Sequence, residues 1–194
     1  MNNIECIANQ LCIYLKTVKE IKDYRIYGSI RENKYDKYSD IDLEIDVSGY
    51  DNSIFITKIP EIINEKYSVI WYDYAPSLMP EKYIISLAIS EDNPFLIVDI
   101  TCVATPHMST LKKEENFVND KITHIIKLFI ANFRHYIRGN NCTKDIERMY
   151  RRISTKQIDT RTMLEDTYNW LLKNADKKYE QYLQNINIEI IKIS

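Results

Sequence analysis

Tyr24-Arg-Ile-Tyr-Gly-Ser-Ile-Arg-Glu-Asn-Lys-Tyr-Asp-Lys-Tyr-Ser-Asp-Ile-Asp-Leu-Glu-Ile-Asp46 is the stretch on which the reading of this chain turns. Arg25 to Tyr27 has the character of a short strand, and Gly28-Ser29 is the bend that leaves it. Ten residues separate Ser29 from Asp40. Residues 41–47 then alternate strictly. Ile41, Leu43, Ile45 and Val47 fall on one face of a strand, and Asp42, Glu44 and Asp46 continue from Asp40 on the other. A helical turn after Gly28 would let a chain that bends sharply off a strand aim backbone N–H groups at phosphate.

Working outward, residues 2–22 have the spacing of an amphipathic helix, with Ile4, Ile7, Leu11, Tyr14, Leu15 and Val18 on one side. After the Ser48–Asn52 loop a helix is expected at 53–66, although Pro60 lies inside it. Ser68 to Tyr74 reads as a strand and Ala75 to Pro80 as a connection. Tyr83–Ile89 and Phe95–Val103 read as a hairpin around Glu91-Asp92-Asn93-Pro94. The composition changes after Pro106. Phe117 to Arg138 is a strong helix with Ile122, Ile125, Ile126, Phe129, Ile130 and Phe133 as its core stripe, stopped by Gly139. Helices are expected at 143–153, 159–173 and 175–183. The alternating tail 185–194 fits an edge strand and a helix end equally. The fold class is α+β: a mixed β-sheet with flanking helices over residues 1–108, then a helical bundle over 109–194.

The chain has 194 residues, 45% of them hydrophobic, which is enough for a core and too much for a disordered chain. Cys6, Cys12, Cys102 and Cys142 form no CxxC, so neither a zinc knuckle nor a disulfide framework is indicated. There is no signal-peptide pattern and no long apolar run, and a reducing cytoplasm is the default compartment. The net charge of −2 hides an asymmetry. Residues 1–108 carry 10 basic and 17 acidic side chains, and residues 109–194 carry 16 and 11. An acidic half suits metal binding. A basic half suits phosphate or an acidic partner, or is a solvated helical surface.

Side chains two apart on a strand share a face, so Asp40 and Asp42 point into one volume. Two carboxylates so close repel unless cations lie between them, and magnesium pairs carboxylates with substrate phosphates. A third acid on a neighbouring strand would complete a two-metal site. Asp99 is that candidate, because it stands in the apolar run Phe95-Leu-Ile-Val-Asp-Ile-Thr-Cys-Val103, where an ionised carboxylate is costly to bury alone.

With Gly28-Ser29, the ten-residue gap, Ser39-Asp40-Ile41-Asp42-Leu43 and Asp99 in view, the chain resembles the nucleotidyltransferase superfamily related to DNA polymerase beta, over roughly residues 24–103. The resemblance implies a mechanism. Gly28 lets the backbone approach a nucleoside triphosphate, and Ser29, Arg31 and Ser39 join it in nucleotide binding. Asp40, Asp42 and Asp99 hold two magnesium ions. Asp99 also helps remove a proton from an attacking hydroxyl, and pyrophosphate leaves. Antibiotic-modifying relatives carry an Arg after the Gly-Ser, which Arg31 matches, and a further Gly that residues 30–39 lack; Lys34 and Lys37 stand there instead.

The implied activity is transfer of a nucleoside monophosphate, AMP from ATP foremost, to a hydroxyl of a small molecule. Relatives built from such a domain and a helical half inactivate aminoglycosides or lincosamides, which points to antibiotic resistance. The positive helical half suits a polycationic aminoglycoside poorly unless Glu114, Glu115 and Asp120 line the pocket. Two rival readings are a protein-adenylylating antitoxin acting on a partner toxin and a non-catalytic nucleotide-binding module. Neither a membrane nor an extended nucleic-acid track is indicated. Among blander readings, Glu44 and Asp46 are a solvated strand face, and His107, His124 and His135 lack metal-ligand spacing. Arg148, Arg151 and Arg152 are an exposed basic helix face.

Overall fold

The computed structural model describes residues 4–191. The chain divides into two compact units, residues 1–90 with 95–119 and residues 91–94 with 120–194.

The first unit is built on a five-stranded sheet. The helix α1 (Ile4–Leu15) precedes β1 (Asp23–Tyr27), and the single turn α2 (Gly28–Arg31) follows it. Next come β2 (Ile41–Asp46), α3 (Asn52–Asn64), β3 (Trp71–Tyr74), a 3-10 turn at Pro76–Leu78, β4 (Tyr83–Ala88) and β5 (Ile97–Val103). The strand order is β1-β2-β5-β4-β3. Strand β2 runs parallel to β5, and the other neighbours are antiparallel. A parallel pair needs a long crossover. Residues 47–96, carrying α3, β3 and β4, supply it.

The alternation of residues 41–47 decides which way the sheet faces. Ile41, Leu43 and Ile45 pack with Val98, Ile100 and Cys102, with Ile85 and Leu87, and with the buried sides of α1 (Ala8, Leu11, Cys12, Leu15) and α3 (Phe55, Ile56, Ile59, Ile63). Each fully buried aliphatic side chain contributes about 1.5–3 kcal/mol. A one-residue slip would turn this whole set to the other face, so the register is strongly held.

Several boundaries move from their sequence expectations. Helix α1 stops at Leu15 rather than near residue 22. The β-branched Thr17 turns its hydroxyl onto Tyr14 O at 2.7 Å, and the backbone bonds at Thr17 and Val18 tighten to i→i−3. Helix α3 runs through Pro60 to Asn64, capped by Asp51. The third strand begins at Trp71 rather than Ser68, because Val69 N donates to Asn64 Oδ1 at 3.0 Å. It is an edge strand, and the Asn119 amide grips its outer side, accepting from Tyr74 N at 2.8 Å and donating to Tyr74 O at 2.9 Å. This covers backbone groups that an edge otherwise leaves for other chains.

A short helix α4 (Lys113–Asn116) ends at Phe117, whose ring packs on Tyr74 and Tyr83 at 5.3 and 5.9 Å. Phe117 therefore serves the sheet unit and does not open the next helix.

In the second unit α5 (Lys121–Ile137) starts from an Asp120 cap and ends before Gly139, which sits at φ +71°. Phe129 and Phe133 stack at 5.7 Å, and Tyr168 tilts against Phe129 at 6.0 Å. The remaining helices are α6 (Thr143–Tyr150), α7 (Thr160–Asn174) and, after a 3-10 turn at Lys177–Tyr179, α8 (Glu180–Ile191). Helix α7 starts from the Asp159 side chain, which accepts from Thr162 N. Tyr150, Tyr168 and Tyr182 are buried and satisfy their hydroxyls on Asp166, Leu183 O and Pro94 O. The tail, undecided between strand and helix, is helical through residue 191; residues 192–194 lie outside the described ones. No helix among the described residues is long and apolar enough to cross a membrane.

The architecture is α+β, a five-strand mixed sheet with flanking helices and further helices C-terminal to it.

Candidate active site

The parallel pairing of β2 and β5 sets Asp42 directly beside Asp99. Both side chains lie on the face opposite the packed core. Asp40, just ahead of β2, joins them. One carboxylate oxygen from each of Asp40, Asp42 and Asp99 lies within 4.8 Å of the other two, and all three residues are half-buried. Three anions gathered so closely raise one another's free energy.

The loop that delivers Asp40 is tied to itself. Asp36 Oδ1 accepts from Tyr38 N at 2.9 Å and from the Ser39 hydroxyl at 3.1 Å, and Asp36 N donates to Ser39 Oγ at 3.0 Å. Ser39 is buried, and its hydroxyl is engaged in this Asx-type turn. Tyr38 stands edge-on to Phe95 at 5.0 Å, with the Lys37 ammonium 4.5 Å from its ring centre. Lys34 pairs with Glu32. Arg31 is exposed and lines an open groove of about 530 Å³ with Glu5, Asn9, Arg25, Ile26 and Ile30.

On the other side, β1 ends at Tyr27 and the chain turns over Asp42. Gly28 sits at φ +67°, a left-handed conformation that side chains disfavour. A Cβ there would fall 2.1 Å from Asp42 Oδ2. Only glycine lets the backbone pass so close to that carboxylate. Ser29 follows, and its Oγ is buried with no hydrogen-bond partner. A buried hydroxyl without a partner is costly, and one beside an acid cluster suits a ligand oxygen.

The donor set is therefore all carboxylate oxygen, with a backbone kept clear and a hydroxyl to spare. Hard divalent cations take such oxygens, and magnesium does so together with phosphate. The residues present fit that group.

The sequence reading missed a layer beneath the acids. On β1, Tyr27 is level with Asp42 and Arg25 with Glu44; on β5, Thr101 is level with Glu44. All of these share the acid face. Glu44, expected to be solvated, forms an ion pair with Arg25 at 2.9 Å. Asp46 accepts from Ser48 N and Ser48 Oγ at 2.8 and 2.6 Å. The Tyr27 hydroxyl lies 3.0 Å from Thr101 Oγ1. Burial pushes the Tyr27 phenol up; the Thr101 hydrogen bond lowers it by less, and the charges of Asp42, Asp99 and Glu44 raise it further. The signal was present in the two-residue alternation Asp99–Thr101, read for its acid and not for its hydroxyl. Asp73 on β3 also shares this row, through Ser86 on β4, and is fully buried.

Residues 11–97 match the nucleotidyltransferase domain family model. The match spans a little under half of the 194 residues and takes in Gly28, Ser29, Asp40 and Asp42. It supports the nucleotidyltransferase superfamily and nucleotidyl transfer as the chemistry, with a nucleotide as substrate. The five-strand mixed sheet agrees with that fold. Asp99 lies two residues beyond the matched stretch, and it is the strand pairing that brings it to Asp40 and Asp42. No curated protein matches the chain.

Proposed function

We propose that the protein transfers a nucleoside monophosphate, AMP from ATP foremost, to a hydroxyl of a small molecule. The observation that carries this reading is the meeting of Asp40, Asp42 and Asp99 within 4.8 Å beside the Gly28–Ser29 turn.

Asp40, Asp42 and Asp99 would hold two magnesium ions, which would supply neutralisation of the charge that develops during phosphoryl transfer. Gly28 gives the triphosphate room against the backbone. Ser29 Oγ donates to a terminal phosphate oxygen, and Arg31 adds a positive charge at the end of the same turn. Ser39 serves the nucleotide by holding the turn that presents Asp40. The acceptor hydroxyl gives its proton to Asp99 and attacks the α phosphorus. The new P–O bond forms as the bond to the β-phosphate oxygen breaks, and pyrophosphate departs.

Residues 1–108 form the catalytic domain in this reading, and residues 109–194 form a separate helical domain. The acceptor is a hydroxyl-bearing antibiotic of the aminoglycoside or lincosamide kind. Asp120 caps α5 and Glu115 pairs with Lys112, so neither is a spare anion for a polycation.

The test is incubation of the purified protein with ATP labelled on the α phosphorus, magnesium and panels of both antibiotic classes, with product masses read out. A product heavier by one AMP is expected, with release of pyrophosphate. Label found only on a protein from cell extract would transfer the reading to the antitoxin class. No product with any acceptor and no pyrophosphate release would overturn it.

A further inference from the structure

Strand β2 lies between β1 and β5, so the Tyr27 and Thr101 backbones are two strand spacings apart, about 10 Å. Their hydroxyls are nevertheless 3.0 Å apart. Tyr27 is level with Asp42 and Thr101 with Glu44. The phenol ring must therefore lie diagonally across β2, between the side chains of Asp42 and Glu44. It divides the acid face in two. On one side are the three clustered carboxylates. On the other is the Arg25–Glu44 ion pair at 2.9 Å.

Arg25 and Tyr27 are two apart on β1 and share that face. Asp42 is the diagonal cross-strand neighbour of Arg25, a distance of about 7–8 Å that a guanidinium spans with ease. A guanidinium takes carboxylates in bidentate fashion. With the ring absent, this arginine would be within reach of Asp42.

We propose that Tyr27 is a positioning residue, a partition pinned by Thr101 that keeps the Arg25 guanidinium away from the carboxylates of Asp42 and Asp99 and so stops it from competing there with divalent cations. The inference rests on the cation-site reading above. It goes beyond that reading by assigning a role to a residue that is neither ligand nor base. Its hydroxyl matters as an anchor to Thr101, and its ring as the barrier.

The test is titration of the full chain with Mn²⁺, following the free-ion paramagnetic resonance signal, without nucleotide. The set is the unaltered protein, Tyr27→Ala, Arg25→Ala and the double variant, with Asp42→Asn as the reference for lost binding. Tyr27→Ala is expected to weaken Mn²⁺ binding at least about fivefold. Arg25→Ala alone should leave binding within about twofold, and the double variant should recover to the same range. Should Tyr27→Ala fold poorly, Thr101→Val keeps the shape while releasing the hydroxyl. About a threefold loss is then expected, again repaired by Arg25→Ala. Undiminished binding in Tyr27→Ala, or a loss that Arg25→Ala does not repair, overturns the inference and leaves the cation site standing. Absence of Mn²⁺ binding by the unaltered protein overturns the cation site itself, and the partition with it.

Discussion

Two acidic regions of the sheet unit are built in opposite ways. At the start of α3, the single Asp51 carboxylate collects five donors: Ser53 N, Ser53 Oγ and Ile54 N on one oxygen, Thr110 N and Thr110 Oγ1 on the other. At the start of β2, three carboxylates converge on one volume. The first arrangement is complete in the folded chain. It caps a helix and ties down Thr110 and Leu111, where Ser53 Oγ also receives Leu111 N at 3.1 Å. The second gathers like charges that, in the proposed reading, a bound cation would neutralise. An acid surrounded by its own donors serves the fold, whereas the proposed function assigns the clustered acids to a ligand.

Removing a charge should therefore do opposite things in the two regions. Asp42→Asn is expected to lower nucleotidyl transfer by about a thousandfold. It should also raise the melting temperature without metal, since one of three repelling charges is gone. A fall in that temperature would mark Asp42 as a structural acid like Asp51. Gly28→Val drives a Cβ into Asp42 Oδ2 and strains the left-handed backbone. Kinetics should show kcat/KM down about a hundredfold, the scale of an ångström's misplacement at a reacting centre, with the triphosphate KM raised. An unaffected KM would contradict the assigned close approach.

Magnesium with a nonhydrolysable triphosphate at a hundredfold its Kd should stabilise the protein by about 2.7 kcal/mol. Asp42→Asn should lose that gain, and Asp51→Asn should keep it. No shift in the unaltered protein at millimolar ligand would count against a triphosphate site.

For Asp51, burial pushes the carboxyl up, but the hydrogen bonds from Ser53, Thr110 and the backbone of Ile54 and Ser53 outweigh it and hold the group below the ordinary carboxylate value. Because the folded value is depressed, its stabilisation is complete above the unfolded value and is lost as pH falls through the folded one. Asn still caps a helix, but Asp51→Asn loses the charge and one accepting oxygen, and should thus cost about 1–2 kcal/mol near neutrality, with the gap from the unaltered protein closing in acid. A gap that persists undiminished in acid would contradict this. Asn119→Ala, which uncovers the outer side of β3, should have the smallest effect, about 1 kcal/mol, with transfer per folded molecule unchanged. A calorimetric scan reads it.

Much of this contrast could be read from residue order. The alternation of residues 41–47 gave β2, its buried face and the shared direction of Asp40 and Asp42. Asp99 stood out because a charge in an apolar strand needs a reason. The register that sets it beside Asp42 did not follow from either segment alone, since a parallel pair is fixed by packing of the crossover between them. The Tyr27–Thr101 contact was hidden for a related reason: it joins two strands through a third, and no local pattern announces it. Glu44 looked solvated because its partner Arg25 lies on another strand. Thr17 and Phe117 cut two expected helices short through a side-chain bond and a tertiary ring contact, neither of which has a periodicity. The tail 185–194 alternates like a strand, yet Ile186 is buried and the helix continues to Ile191.

The most direct measurement is an anomalous difference map from a crystal grown with Mn²⁺ and a nonhydrolysable ATP analogue. Peaks are expected among the carboxylates of Asp40, Asp42 and Asp99, with the α phosphate beside them and Ser29 Oγ on a terminal phosphate oxygen. Analogue bound with no peak among those three side chains, or manganese bound elsewhere on the chain, would contradict the account.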